Sequence, residues 1–278
     1  MRGKVVGALV AAYVLAGSWV GAAPGRAQAN PRPHNVGVVT ETLVDRSRPT
    51  AANGDCAKLQ SRTLPTTIFY PATGSAASTP VTAQPNAAPD ASNAPYPLVV
   101  FAHGFGARAG SYQKLLEHLA SQGFVVAAPT FPLSSGDSPC GAIAVDSVNQ
   151  PEDLSFVIDA VLKQSKAKTG PLAGLVDRDA IGAAGHSNGA ITMWGLVANT
   201  AVRDPRVDAA VVMAGTLQKY PKGRYDFTDA PPLLLVHGSN DALVPYDLGV
   251  AAFNEARGPK GLLTITGGDH GSSSGSNA

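Results

Sequence analysis

Apolar residues fall along this chain in two alternating rhythms: short unbroken runs, and stripes spaced as on one face of a helix. Residues 66–70 form a compact β-rich run closed by Pro71. Residues 97–102 are continuously apolar, the pattern of a strand buried on both sides. Tyr112, Leu115, Leu116 and Leu119 then mark a helix over 112–120, with Gly123 as its stop. A strand is predicted at 124–129. Leu154, Phe156, Val157, Ala160 and Val161 make the buried stripe of a helix over 152–163. Further strands are predicted at 179–184, 209–214, 233–236 and 262–266, and helices at 190–198 and 247–256. Strand and helix alternate throughout, which argues for an α/β fold around a parallel sheet covered on both faces.

Between 72 and 96 the rhythm stops. Alanine, serine, threonine, proline and asparagine dominate there, and the segment is expected to be a flexible hairpin tip or surface loop. The N-terminus departs in another way. Arg2 and Lys4 precede an apolar stretch over 5–20, and Ala27-Gln28-Ala29 is a small-x-small site. Residues 1–29 are therefore expected to be a signal peptide cleaved before Asn30, with an uncleaved anchor as the alternative. The remainder, 30–278, is read as one exported domain with no membrane span. No cysteine stands near the cleavage site to carry a lipid.

Lysines and arginines number 21 against 20 aspartates and glutamates, so the charge balance points to neither nucleic acid nor an anionic surface. Cys56 and Cys140 are the only two cysteines. In an oxidising compartment such a pair predicts a disulfide, and the two lie too far apart for the close spacing of zinc sites. No metal or cofactor is expected.

The chemistry centres on Gly185-His186-Ser187-Asn188-Gly189. A G-x-S-x-G pentapeptide between a predicted strand and a predicted helix places a serine on a sharp turn at a helix N-terminus, with glycines where side chains would collide. A serine needs a base, and a third group to orient that base. Only His237 and His270 follow Ser187. His270, on the glycine-rich loop after the last strand, is the expected base, and Asp241, in the loop after the preceding strand, its carboxylate. Asp269, Asp226 and Asp229 are competing acids. The oxyanion donors are expected to be the N–H groups of Asn188 and of Phe105, in His103-Gly104-Phe105-Gly106. His103 and His186 are read as packing or hydrogen-bonding residues. Gly104, Gly106 and Gly110 do not have dinucleotide-loop spacing, and no acid follows the next strand, so no nucleotide is expected.

These segments resemble the α/β-hydrolase superfamily, within it most closely the secreted bacterial branch of polyester hydrolases and cutinases, dienelactone hydrolases and platelet-activating-factor acetylhydrolases. The likeness runs from about Arg62 to His270. It is carried by Arg62-Thr63-Leu64-Pro65-Thr66-Thr67-Ile68-Phe69-Tyr70-Pro71, residues 97–106, the pentapeptide, and His237-Gly238-Ser239-Asn240-Asp241 with Pro245. It implies a mostly parallel central sheet with helices on both faces, and hydrolysis of carboxylic esters through an acyl-enzyme, with Ser187, Asp241 and His270 on the matching positions. Two departures stand out. No helical pattern follows His270, so 271–278 is expected to be a disordered tail, and Asn188 stands where many polyester hydrolases carry a bulkier apolar residue.

The connection 215–232 is too short for a large lid. Its Tyr220, Tyr225 and Phe227 either wall an open cleft or pack on the core. A small-molecule or polymeric ester is the expected partner, and a monomer the expected state. Two other readings use the same fold: a catalytically silent binding or scaffold protein, and an acyltransferase that passes the acyl group to an alcohol.

Overall fold

A computed structural model describes residues 33–75 and 81–275 of the protein. The unbroken apolar runs become parallel neighbours, since only pairing on both edges satisfies a backbone buried under apolar side chains. These are β4 (Tyr96–Ala102), β5 (Val125–Pro129), β6 (Val176–His186), β7 (Ala209–Met213), β8 (Leu233–Gly238) and β9 (Lys260–Ile265). Ahead of them lie β1 (His34–Asp45), β2 (Arg62–Ser75) and the short β3 (Gln84–Pro85). Among the described residues the nine strands form one sheet in the order β3-β1-β2-β5-β4-β6-β7-β8-β9. β2 runs antiparallel to β1 and β5, and every pair from β5 to β9 is parallel.

Side chains alternate across the sheet and so feed two cores. Leu98 and Val100 of β4 join one core together with α2 (Gln150–Ser165), α3 (Asn188–Ala198) and Ala252 of α4 (Tyr246–Glu255). Val99 and Phe101 join the other with α1 (Gln113–Ser121). This is the doubly covered, mostly parallel sheet that the resemblance implies. On α2 the buried face is Leu154, Val157, Ile158 and Val161, while Phe156 and Ala160 are half-exposed.

One strand was missed and two expectations need correction. The hydrophobic pattern predicts nothing before residue 66, yet β1 pairs with β2 over its whole length. Its residues are mostly half-buried, which blurs the alternation that reveals a strand. The stretch 72–96, expected to be a flexible loop, is fastened to the sheet in its described parts. Asn86 N–H donates to Val38 O at 2.9 Å, Asp90 N–H to Pro71 O at 2.9 Å, and Tyr70 Oη to Ala87 O at 2.9 Å. Backbone hydrogen bonds to a sheet edge order it, and a composition argument that counts apolar area does not see them. The expected disordered tail begins instead with a single helical turn, Gly271–Ser273, and both Ser273 in the turn and Ser274 just after it are buried. Residues 76–80 and 276–278 and the expected signal peptide, 1–29, lie outside the described residues.

The predicted disulfide is present: Cys56 is bonded to Cys140, with Cα atoms 5.9 Å apart. By chain entropy alone, closing a loop of this length contributes about 4–5 kcal/mol. At the start of β2, Arg62 is buried and binds two carboxylates. Its Nε and Nη2 donate to Asp153 at 2.6 Å each, and its Nη1 and Nη2 to Asp146 at 3.1 and 2.9 Å. Burial opposes the Arg62 charge, but the hydrogen bonds and charges of Asp153 and Asp146 outweigh it and hold the guanidinium protonated. Arg48 adds a second cation on Asp153 at 2.7 Å.

Candidate active site

The turn from β6 to α3 is built from exclusion. A Cβ on Gly185 would lie 2.3 Å from Gly189 O, and one on Gly189 would lie 2.2 Å from Ala102 O. No side chain fits at either place, so the strand can double back into the helix only with glycine at both. Ser187 takes the strain, with φ 56° and ψ −118°. Such a conformation in a non-glycine residue costs on the order of 1–3 kcal/mol and persists only where the surroundings enforce it. The Ser187 N–H donates to Met213 O at 2.9 Å, which pins the turn to β7. The side chain is half-buried at the carboxyl edge of the sheet.

The loop after β4 approaches this serine closely. A Cβ on Gly104 would stand 3.3 Å from Ser187 Cβ and 2.9 Å from Tyr112 Oη. Phe105, next in the chain, is 52% exposed, and among the described residues nothing accepts its N–H. Asn188 is the first residue of α3, where helix geometry leaves the N–H without an intrahelical partner. Both expected oxyanion donors therefore border the serine with uncommitted amides.

Tyr112 ties these parts together, a role the helical stripe concealed by assigning it to the core. Its hydroxyl accepts from Gly104 N–H at 3.0 Å and donates to His186 Nδ1 at 2.9 Å. His186 Nε2–H in turn donates to His270 O at 2.9 Å. His103 Nδ1–H donates to Gly104 O at 2.8 Å, and its Nε2 accepts from Phe131 N–H at 3.0 Å. Burial lowers both His103 and His186 to about 4, so each is a neutral imidazole with both nitrogens engaged. The hydrogen-bonding role expected for them holds.

Asp241 and His270 meet across 29 residues of sequence, with His270 Nδ1–H donating to Asp241 Oδ2 at 2.7 Å. The other carboxylate oxygen accepts from Leu243 and Val244 N–H at 2.9 and 2.8 Å. Burial pushes Asp241 up, but the His270 hydrogen bond, with those from Val244 and Leu243, outweighs burial and leaves it below its ordinary value. His237 also reaches this carboxylate, its Nε2 lying 3.3 Å from Oδ2 while bonded to Val244 O at 2.9 Å. Its place four residues before Asp241, at the end of β8, was the signal for that contact.

The competing acids are elsewhere. Asp269 is held by the Ser272 N–H and hydroxyl, Asp226 by Thr228, and Asp229 lies 3.7 Å from Arg203. The His270 ring lies against that of His186, with centroids 4.8 Å apart, one residue from the serine. Among the described residues no hydrogen bond joins the Ser187 hydroxyl to His270. Such bonds often tighten only when substrate is bound. The aromatics of 215–232 turn out to serve the core. Tyr220 is buried and bonded to Ile191 O, while Phe227 packs edge-on against Trp194 and stacks with Tyr225. Among the described residues no cluster of three or more His, Cys, Asp or Glu side chains is arranged to hold a metal ion.

A family model described as chlorophyllase matches residues 69–213, from the middle of β2 to the end of β7. A solved structure of ferulic acid esterase from Streptomyces cinnamoneus superposes with a TM-score of 0.62 at 26% identity, covering 86% of this chain and 75% of that one. No curated protein matches the sequence.

Proposed function

The chain belongs to the chlorophyllase family, and from that premise we propose that it is an exported hydrolase of carboxylic esters that works through an acyl-enzyme on Ser187. The observation that carries the reading is the Asp241–His270 pair, standing on the loops after β8 and β9 beside a strained serine at the end of β6. Likeness to a ferulic acid esterase supports ester rather than amide chemistry.

In this mechanism His270 Nε2 takes the Ser187 proton as Oγ attacks the ester carbonyl. Asp241 holds Nδ1–H, keeping the other nitrogen basic and stabilising the imidazolium that forms. The N–H groups of Asn188 and Phe105 receive the oxyanion, each donor contributing about 2.7–4 kcal/mol in comparable sites. His270 then returns the proton to the leaving alcohol, and water repeats the sequence to release the acid. Export is supported by the disulfide, which suits an oxidising compartment.

The test is hydrolysis of p-nitrophenyl acetate and butyrate by the protein beside Ser187→Ala and His270→Ala. We expect turnover by the wild type and a loss on the order of 10⁶-fold in Ser187→Ala, the size found when a serine hydrolase loses its nucleophile. A folded Ser187→Ala protein that keeps most of the rate overturns the assignment.

A further inference from the structure

Away from Ser187, the same edge of the sheet holds a cavity of about 500 Å³, between the disulfide-bearing segment and the loop after β5. Its position follows from topology. Thr130 and Phe131 continue β5 as Ser187 continues β6, and both strands point the same way. Thr63 and Pro65 enter from the start of β2, which lies antiparallel to β5 with Thr66 opposite Pro129. In the order β2-β5-β4-β6, the cavity stands over the first two strands and the serine over the fourth. At about 4.8 Å per strand, the separation is roughly 10–14 Å along the edge.

The wall of this cavity is fastened to the loop that borders Ser187. Phe131 N–H donates to His103 Nε2 at 3.0 Å, Gly106 N–H to Ser134 O at 2.8 Å, and Arg108 pairs with Asp137. That intervening loop carries Phe105, more than half exposed. Leu59, exposed by 56%, opens onto the cavity itself. One exposed apolar side chain thus borders the cavity and another stands on the loop between the cavity and the serine.

The lining is mostly apolar, and several of its polar side chains are already engaged. Thr50 Oγ1 donates to Ser61 O at 2.8 Å, Ser138 Oγ to Pro132 O at 3.0 Å, and Asn53 Nδ2 to Gly141 O at 2.7 Å. Asp137 pairs with Arg108, which leaves the Thr63 and Thr130 hydroxyls as the polar side-chain groups of the lining without a hydrogen-bond partner among the described residues. Leu59, Leu133, Phe131 and the disulfide itself supply the surface. Cavities of this size and lining typically take small apolar ligands.

We propose that this cavity receives the extended apolar arm of the ester substrate, an alkyl chain long enough to reach from the carbonyl on Ser187 across the β4 loop. The proposal rests on the ester-hydrolase reading for its reaction but not for its binding. Two measurements separate them. In the first, kcat/KM is compared for p-nitrophenyl dodecanoate and dodecyl acetate, each as a ratio to p-nitrophenyl acetate, in wild type, Leu59→Asp and Ala57→Trp. Both positions are exposed, so neither change threatens the fold. At least one of the two ratios is expected to fall roughly tenfold, the equivalent of losing one leucine-sized apolar contact. Leu248→Asp, at another exposed leucine, on α4, should leave the ratios at the wild-type value. In the second, dodecanoate binding to Ser187→Ala is measured by calorimetry, with and without Ala57→Trp, and is expected to weaken by a similar factor. If neither ratios nor binding respond, the cavity is not a substrate site, whatever the protein hydrolyses. If wild type hydrolyses nothing but dodecanoate binding still depends on residue 57, the esterase reading falls and the apolar site stands.

Discussion

The two ends of the sheet's carboxyl edge are built by opposite means. Over β6, β8 and β9 the turn that carries the serine is set by the backbone, with glycines at 185 and 189 that have no room for a side chain, a strained Ser187, and N–H groups left open beside it, while Tyr112 and His186 tie the surrounding loops from behind. Over β2 and β5 the side chains hold it. There Arg62 spends its guanidinium on Asp146 and Asp153, Arg48 bridges Asp45 and Asp153, and Cys56 is tied to Cys140. The difference fits the use proposed for the serine. A reaction centre needs donors and lone pairs aimed at something not yet present, so the backbone must fix geometry while those groups stay free. A frame has no such requirement, and it is stiffest when every polar group is consumed.

The sharpest way to break this contrast is Asp241→Asn. On the reading proposed here it reverses the tautomer preference of His270 and lowers kcat by about 10⁴-fold, while urea unfolding changes comparatively little. A large loss of stability with activity retained would make Asp241 part of the frame. The converse change, Arg62→Met, leaves Asp146 and most of Asp153 without a cation. It should cost about 3–5 kcal/mol of unfolding free energy and leave KM for p-nitrophenyl acetate near the wild-type value in the folded fraction. A variant as stable as wild type would show that the network contributes nothing net.

Acid sharpens the comparison least. His103 and His186 are lowered by burial to about 4 in the folded protein, against about 6.5 in an unfolded chain. Between these values the unfolded state binds more protons, so stability is full above about pH 6.5 and falls as pH drops towards 4. Each imidazole accounts for roughly 3 kcal/mol over that window. Urea midpoints at pH 7 and pH 4.5 measure it. Replacing His103 with Gln should flatten the dependence by about half, and an unchanged slope would assign the acid sensitivity elsewhere.

Most of the parallel half was legible in the chain. Strands buried on both faces are unbroken apolar runs, and the helices beside them carry stripes, so β4 to β9 and α1 to α4 announce themselves. The pentapeptide around Ser187 was legible for a related reason: steric exclusion at a tight turn leaves glycine as its trace. The antiparallel edge was harder. β1 is half-buried, and residues 81–96 are held by backbone hydrogen bonds, which leave no mark on composition. Asp153, on the predicted helix, carries no sign of burial in the pattern, and its contacts with Arg62 and Arg48 explain why it is buried.

The order of serine, acid and histidine, the cysteine pair, and the alternation of strand and helix are local or compositional, and the sequence alone determined them. Which acid meets His270 was decided in three dimensions, since Asp241 and Asp269 are equally good carboxylates and only the loop geometry after β8 and β9 chooses between them. The same holds for Tyr220 and Phe227, which core packing claimed from the cleft, and for Tyr112, whose hydroxyl joins the loop after β4 to His186, 74 residues further on. Periodicity records which face of an element is buried; it carries no information on which buried neighbour a polar atom will find.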